Sequence, residues 1–354
     1  MRTDLPAPLP GSVQSEPRFP NSEPLRPLLA VDDLTVSLPA GGALRPAVDR
    51  VSFALAAGEG VAVVGESGCG KTQLARAILG LVPDGGRLGG RVRYEGRDLL
   101  PLSDREWGDV RGREIGMVFQ EPAAALDPVR TLGDHLAEAL RLHASVSRRE
   151  TRRAAVEALR AVAFPDPEQG LDAYAHRLSG GLRQRACLAI ALAPGPRVLL
   201  ADEPTASLDA TVALQILDLL DRLRRERGLA VLLITHDLGL VARHCDRVLV
   251  LYAGRVVEEA DAASLFRGAG HPYTQGLLKA APRLHAAARK AGERYQTIPG
   301  TLSDLSARAR GACAFAPRCP ERFDPCDARE PDLYAFGSGR ARCFLHEPGA
   351  GAPA

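Results

Sequence analysis

Eight consecutive residues, Gly65-Glu66-Ser67-Gly68-Cys69-Gly70-Lys71-Thr72, fit the pattern G-x-x-x-x-G-K-[ST], the P-loop. The chemistry of this pattern is phosphate binding. Its glycines let successive backbone N–H groups turn toward one anion, and the helix after them adds the positive end of its dipole. Lys71 is placed to reach β- and γ-phosphates, and Thr72 to hold Mg2+ through its hydroxyl. The pattern has this meaning only between a strand and a helix. Val61-Ala62-Val63-Val64 precedes it as a short buried strand, and Gln73 to Leu79 continues from it as a helix. An isolated glycine-rich turn does not account for the full stretch in that setting.

Further residues suit the same chemistry. Val198-Leu199-Leu200-Ala201-Asp202-Glu203 is an apolar strand ending in two carboxylates, about 130 residues after the P-loop. Asp202 is expected to bind Mg2+ through water, and Glu203 to polarise an attacking water. Alone, such a pair is more simply a helix cap or surface turn; the P-loop reverses that preference. Ala230 to Thr235 is another buried strand, ending at His236. Open α/β sheets bind ligands at the C-terminal ends of their strands, so His236 is placed to contact a γ-phosphate. Leu178-Ser179-Gly180-Gly181 opens an alanine- and leucine-rich helix and offers a second anion site. By itself, Ser-Gly-Gly more often marks a loop.

The elements that must position these groups can be read from the hydrophobic pattern. Strands are expected at Leu28–Leu38, Val48–Ala56, Arg91–Tyr94 and Ile115–Phe119, with a turn at Pro39–Gly42 and Gln120 closing the last strand. From about Ala123 to Arg177 the spacing turns helical, with Leu132, Leu136 and Leu140 on one face and Ala155 to Val162 amphipathic. Within it, Arg148, Arg149, Arg152 and Arg153 form a basic run, read as a solvated helix face rather than a lipid or RNA contact. Ser207-Leu208-Asp209 is a loop before a helix to about Arg227. Residues 1–27 carry seven prolines and few large apolar residues, and are expected to be disordered.

The whole chain sets bounds. At 354 residues it can bury one large core and a smaller one. A net charge of +2 gives no ground for general nucleic-acid binding. No apolar run approaches the roughly 18 residues of a membrane span, and no secretory leader is visible, so a cytoplasmic location is expected. There, seven cysteines point to metal binding or burial rather than disulfides.

The P-loop, Gln120, Leu178-Ser179-Gly180-Gly181, Asp202-Glu203, Ser207-Leu208-Asp209 and His236 stand in the order and spacing of an ABC-transporter nucleotide-binding domain, which residues 28–268 resemble. Leu182 after the Ser-Gly-Gly, Phe119-Gln120-Glu121-Pro122 with Leu126-Asp127-Pro128, and His271-Pro272-Tyr273-Thr274 are similar to the ATP-binding subunits of oligopeptide and dipeptide importers. The resemblance implies an α/β P-loop NTPase fold with a helical subdomain at about 123–190 and a Cys-rich C-terminal extension at 269–354. It implies ATP and Mg2+ as ligands, with catalytic roles for Lys71, Glu203 and His236 and Mg2+ ligation by Thr72, Gln120 and Asp202. Nucleotide contacts would come from Gly65 through Thr72, from Gln120 and from Leu38, where leucine replaces the aromatic residue that usually stacks on adenine. Ser179, Gly180 and Gly181 would serve the nucleotide of a second ATPase subunit, and Asp209 would cross that interface. Two transmembrane permease subunits and an extracytoplasmic solute-binding protein are the further implied partners, with this chain peripheral on the cytoplasmic face of the membrane. Related importers carry nickel or other small solutes on the same ATPase architecture. Soluble ABC proteins acting on ribosomes or DNA form a separate alternative, but they usually have two such domains or a long coiled-coil insertion.

Cys313, Cys319, Cys326 and Cys343 lie in a Pro- and Arg-rich tail with little core-forming periodicity. Four thiolates can organise such a segment around a metal, and the spacing alone does not choose zinc or an iron–sulfur cluster. Some peptide-importer ATPases with this tail carry a 4Fe–4S cluster, which the resemblance favours here; His346 is a weaker candidate ligand. Cys69, at a helix N-terminus, is a candidate for a lowered thiol pKa, or else a small loop residue. Cys187 and Cys245 are read as buried apolar residues.

Overall fold

The computed structural model describes residues 27–143, 147–206, 208–281, 297–301 and 311–349. Ser207 and the expected leader, Pro27 apart, lie outside the described residues. The strands in chain order are β1 (Leu29–Ala40), β2 (Ala43–Leu55), β3 (Gly60–Val64), β4 (Arg87–Tyr94), β5 (Arg97–Asp98), β6 (Ile115–Val118), β7 (Val198–Asp202), β8 (Ala230–Ile234), β9 (Arg247–Tyr252), β10 (Arg255–Asp261), β11 (Tyr334–Phe336) and β12 (Gly339–Ala341). The helices are α1 (Lys71–Ile78), α2 (Asp104–Val110), α3 (Pro122–Ala125), α4 (Leu132–His143), α5 (Arg148–Ala161), α6 (Pro167–Gly170), α7 (Gly180–Leu192), α8 (Ala210–Arg227), α9 (Leu238–His244), α10 (Ala262–Arg267), α11 (Pro272–Ala280) and α12 (Pro325–Ala328).

Two sheets organise these elements. One is antiparallel, in the order β2-β1-β4-β5; the other runs β11-β12-β10-β9-β3-β8-β7-β6. Within the larger sheet β9, β3, β8, β7 and β6 are parallel. Such strands are covered on both faces, which is why the sequence shows them as unbroken apolar runs. The two-residue side-chain period then divides each run between two layers. Val61, Val63, Val198, Leu200, Leu232, Ile234, Leu249 and Leu251 point into one core, shared with β1, β2 and α1. Leu199, Ala201, Val231 and Leu233 face α4, α5, α7 and α8 on the other side. Ala62, Val64, Val248 and Val250 meet α9, α10, Tyr273 and Phe315. The third cluster therefore joins the extension to the back of the P-loop strand.

The strand expected at Val48 is longer: β2 begins at Ala43, and Ala40 pairs with Ala43 across Gly41-Gly42. Pro46 lies within the added part. The structure accommodates it because β2 is an edge strand, where a missing N–H costs no ladder bond. Between β6 and β7 the described residues hold only helices and a 3-10 turn at Ala175–Arg177. Leu132 and Leu136 are buried and Leu140 packs beside them, as their spacing predicts. Ser147 caps α5 in a capping box with Glu150, so the helix starts at Arg148 and includes the basic run. Arg148, Arg149, Arg152 and Arg153 are exposed, as read, and flank an open groove of about 770 Å3 that no P-loop residue lines. Among the described residues no helix is long and apolar enough to cross a membrane.

Candidate nucleotide-binding site

Register places the site. Val63 stands beside Ile234, Ile234 beside Asp202, and Ala201 beside Val118. One or two residues beyond that row lie Gly65, His236, Glu203 and Gln120. Four separate stretches of sequence thus end on one sheet edge, where α/β sheets bind ligands.

The P-loop turns sharply between β3 and α1. Gly65 has φ +155°, and a Cβ there would sit 2.2 Å from the Leu251 carbonyl oxygen. Gly70, at φ +109°, meets the Ala47 carbonyl oxygen at the same distance, so both positions require glycine. Ser67 and Gly68 are exposed at the loop crest; Gly65, Cys69 and Lys71 are buried. Lys71 Nζ donates to the carbonyl oxygens of Gly65 (2.8 Å) and Glu66 (3.0 Å). Its charge is therefore held within the loop, against Cys69 Sγ at 3.9 Å. The lowered thiol pKa considered for Cys69 is not found. At 1% exposure, burial pushes the thiol up and outweighs the lowering pull of Lys71. Burial also pushes Cys187 and Cys245 up to about 12, in keeping with apolar roles.

Thr72 Oγ1 donates to Asp202 Oδ1 at 3.2 Å. Two hard oxygen donors so placed suit Mg2+. Asp202 is 1% exposed, and burial raises its pKa, partly offset by the Thr72 hydrogen bond. A buried carboxylate with so little compensation has a cation to gain. Glu203 is a non-glycine residue in the left-handed region, φ +47°, held by its N–H bond to the Ile234 carbonyl at 2.9 Å. Strain of this kind clusters at functional positions. Glu203 Oε2 lies 3.3 Å from His236 Nδ1, with the carboxylate largely covered and the imidazole exposed. Gln120 is exposed at the same edge. Leu38 is half-buried on β1, packs on the first core, and touches the Gly86 turn.

The other expected anion site opens outward. Ser179 caps α7, its hydroxyl accepting from Leu182 N–H at 3.4 Å. Arg183 closes on the Leu178 carbonyl through Nε and Nη2. Gly180 and Gly181 lie against Leu208 and Val212; a Cβ on Gly181 would come within 2.7 Å of Val212 Cγ1. Asp209 caps α8, its Oδ1 accepting from Thr211 and Val212 N–H groups. The two segments support one another.

Sequence reasoning missed a set of groups behind the P-loop. The Glu66 N–H donates to Tyr273 Oη (2.8 Å), and the Glu66 carboxylate receives a two-pronged bond from Arg318 (2.7 and 2.9 Å). His271-Pro272-Tyr273 acquires a physical role here. His271 Nδ1 caps α11 by accepting from Tyr273 N–H at 3.0 Å. Full burial pushes His271 down to about 3, leaving it neutral and able to accept. Buried Glu258 accepts from the Gly270 and His271 N–H groups and fixes the helix start. The legible signal was the His-Pro-Tyr string; Arg318, 252 residues from its partner, carried none.

In the tail, Cys313 and Cys319 are half-buried, and Cys326 and Cys343 are buried. Cys313 N–H donates to the Cys326 carbonyl at 2.9 Å. Burial raises Cys319 to about 12 and Cys343 to about 11, and the neighbouring cysteines add to both. The four side chains therefore share one neighbourhood, although no three of their sulfurs lie within 4.8 Å of one another. His346 is committed elsewhere: its Nε2 lies 2.8 Å from the Gly270 carbonyl oxygen, and its ring packs on Phe336.

A P-loop, a buried strand-end aspartate, an adjacent glutamate and a histidine on one parallel-sheet edge have the arrangement of a P-loop nucleotide-hydrolase cassette. Comparison with known proteins sharpens the class. Residues 48–206 match a family described as ABC transporter, and residues 257–326 match the oligopeptide/dipeptide transporter C-terminal region. The oligopeptide transport ATP-binding protein OppD of Salmonella typhimurium is 43% identical over 323 residues, 91% of this chain and 95% of that protein. OppD of Mycobacterium tuberculosis is 47% identical over 91% of this chain, which spans about half (52%) of that longer relative. A dimeric ATP-binding cassette solved in a post-hydrolysis state bound to ADP and Pi superposes with TM-score 0.60 and 28% identity, covering 66% of this chain and 98% of that one. The chain belongs to the ABC transporter ATP-binding proteins of the oligopeptide/dipeptide group.

Proposed function

We propose that this chain hydrolyses ATP and thereby energises import of di- or oligopeptides across the cytoplasmic membrane. The observation that carries the hydrolytic part is the joined set Thr72–Asp202 and Glu203–His236 at the P-loop edge. The peptide assignment rests on the extension and on relatives named for oligopeptide transport.

The mechanism rests on charge and position. The P-loop N–H groups and Lys71 bind the β- and γ-phosphates; Lys71 exchanges loop carbonyls for phosphate oxygens. Thr72 and Asp202 would hold Mg2+, with Gln120 as a further ligand, and a bound Mg2+ offsets the phosphate charge. Glu203 orients and polarises the attacking water, and His236, held by Glu203, faces the γ-phosphate. Leu38 packs against the adenine. Ser179, Gly180 and Gly181 complete the site of a second ATPase subunit, and Ser207-Leu208-Asp209 lies at that interface. Two transmembrane permease subunits and an extracytoplasmic solute-binding protein complete the assembly, with this chain peripheral on the cytoplasmic face. Residues 28–268 act as the ATPase domain and 269–354 as the extension.

The four tail cysteines are proposed to hold a 4Fe–4S cluster. A tetrahedral zinc ion, with Zn–S near 2.3 Å, would bring the sulfurs to within about 4 Å of one another. Support for the cluster comes from the four thiols themselves, partly or fully buried in one loop-rich segment, and from the family resemblance of the tail. Such a cluster would supply metal–sulfur cross-links to a loop-rich segment. Anaerobic purification should give iron and acid-labile sulfide in about equal amounts; absence of both removes the cluster.

Affinity capture from detergent-solubilised membranes tests the transport reading. Two multi-span proteins and a second ATPase are expected. Recovery only from the soluble fraction, with ribosomal or DNA-associated partners, would overturn it.

A further inference from the structure

We infer that Arg318 is a positioning residue for the P-loop, acting through Glu66, so that the C-terminal extension sets the ATP affinity of the cassette. The inference rests on the ATP-binding role proposed above and deepens it.

Glu66 is gripped twice. Its peptide N–H donates to Tyr273 Oη on α11, and its carboxylate accepts both prongs of the Arg318 guanidinium. Parallel paired bonds of this kind fix orientation as well as distance. Arg318 is itself held from behind. Nε donates to the Pro299 carbonyl at 2.7 Å, Nη2 to the Gly300 carbonyl at 3.3 Å and Nη1 to Tyr252 Oη at 3.4 Å. It is 7% exposed. Tyr252, Tyr273 and Phe315 pack ring against ring around it, with centroids 4.6–5.4 Å apart. Such a guanidinium has little freedom to let go of its partner.

On its other side, Glu66 offers its carbonyl oxygen to Lys71 Nζ. One residue thus links the phosphate-binding lysine to the extension. A loop already held in its binding shape loses less freedom when phosphate arrives, and this shows as affinity. Releasing the Glu66 side chain leaves the glycine-rich loop anchored less firmly, at a point five residues before Lys71. The glycines that make the turn possible also make it floppy when unheld.

The test is a double-mutant cycle on Mg-ATP affinity in the full-length chain. The variants are Arg318→Met, Glu66→Gln, the pair together, and Arg318→Lys, with melting temperature recorded for each. Each of the first two should weaken ATP binding about 10-fold, within the range of coupled neighbours. The double variant should be no weaker than the worse single one, and Arg318→Lys should fall between Arg318→Met and wild type. Glu66→Gln takes the paired charge from the buried Arg318, whereas Arg318→Met leaves only the more exposed Glu66 carboxylate unpaired. If either single variant folds poorly, the double variant, which removes both charges, and Arg318→Lys, which keeps both, keep the test usable. Unchanged affinity in Glu66→Gln, or losses that multiply in the double variant, would overturn the inference. So would losses that match only the unfolded fraction. Failure of wild type to bind ATP would instead count against the ATPase reading.

Discussion

Asp202, Glu203 and His236 stand at the ends of strands whose neighbours are fixed by backbone register, with Thr72 at the start of α1 beside them, whereas Cys313, Cys319 and Cys343 stand on loops and Cys326 on a four-residue helix. The first region is backed by two apolar layers, one on each face of the sheet. The tail has a small cluster of Ala316, Cys326 and Phe344, with Phe323 and Tyr334 beside it. Chemistry that needs placement to a fraction of an ångström sits on the rigid part. The tail is held by its attachment to the cassette, through Tyr273, Phe315 and Arg318, and by whatever its cysteines bind. The contrast predicts that changes at the strand ends act on chemistry, and changes in the tail act on affinity and local order.

The largest effect is expected from Lys71→Ala. It removes the one cation held inside the P-loop. ATP affinity and turnover should fall together, turnover by about 10²-fold or more, the scale of losing an electrostatic stabiliser. Normal ATP binding by this variant would break the assignment of the loop. Asp202→Asn separates function from stability. Burial holds the Asp202 carboxyl above its ordinary 3.8, so the unfolded chain gives up this proton at lower pH than the folded chain. The penalty to folding is absent below pH about 3.8, grows as pH rises from there to the raised folded value, and is constant above it. At neutral pH, Asp202→Asn should therefore raise the melting temperature of the nucleotide-free chain. The gain should shrink on acidification, and hydrolysis should be lost. A lower melting temperature at pH 7 would show that the buried carboxylate stabilises the fold.

The smallest effect on chemistry is expected in the tail. Cys326→Ser with Cys343→Ser should make residues 311–349 more open to limited proteolysis and weaken ATP binding by about the same 10-fold as loss of the Arg318 contact. Turnover at saturating ATP should stay within about twofold of wild type, far from the losses at the strand ends. A turnover loss as large as that of Lys71→Ala would erase the distinction between the two regions.

Legibility in the sequence divides along the same line. The strand ends were readable because a buried parallel strand is a continuous apolar run, and the residues just past its end are located to within one or two positions. Asp202, Glu203 and His236 could be placed on one edge from the sequence alone. Cys69 carried two readings, a thiol lowered by the helix N-terminus or a small loop residue, and its 1% exposure favours the second. His346 had the chemistry of a ligand, but its contacts are with Gly270 and Phe336. The Arg318–Glu66 pair was invisible because neither residue is unusual in its local sequence; only the fold brings them together.

We propose that Glu203 drives hydrolysis at this edge, and Glu203→Gln in the assembled transporter is the decisive variant. The measurement is ATP bound against ATP hydrolysed in a single turnover. ATP should bind with near wild-type affinity and stay intact, with turnover lower by about 10²-fold or more. Wild-type hydrolysis by Glu203→Gln would contradict the account and move the catalytic base away from the end of β7.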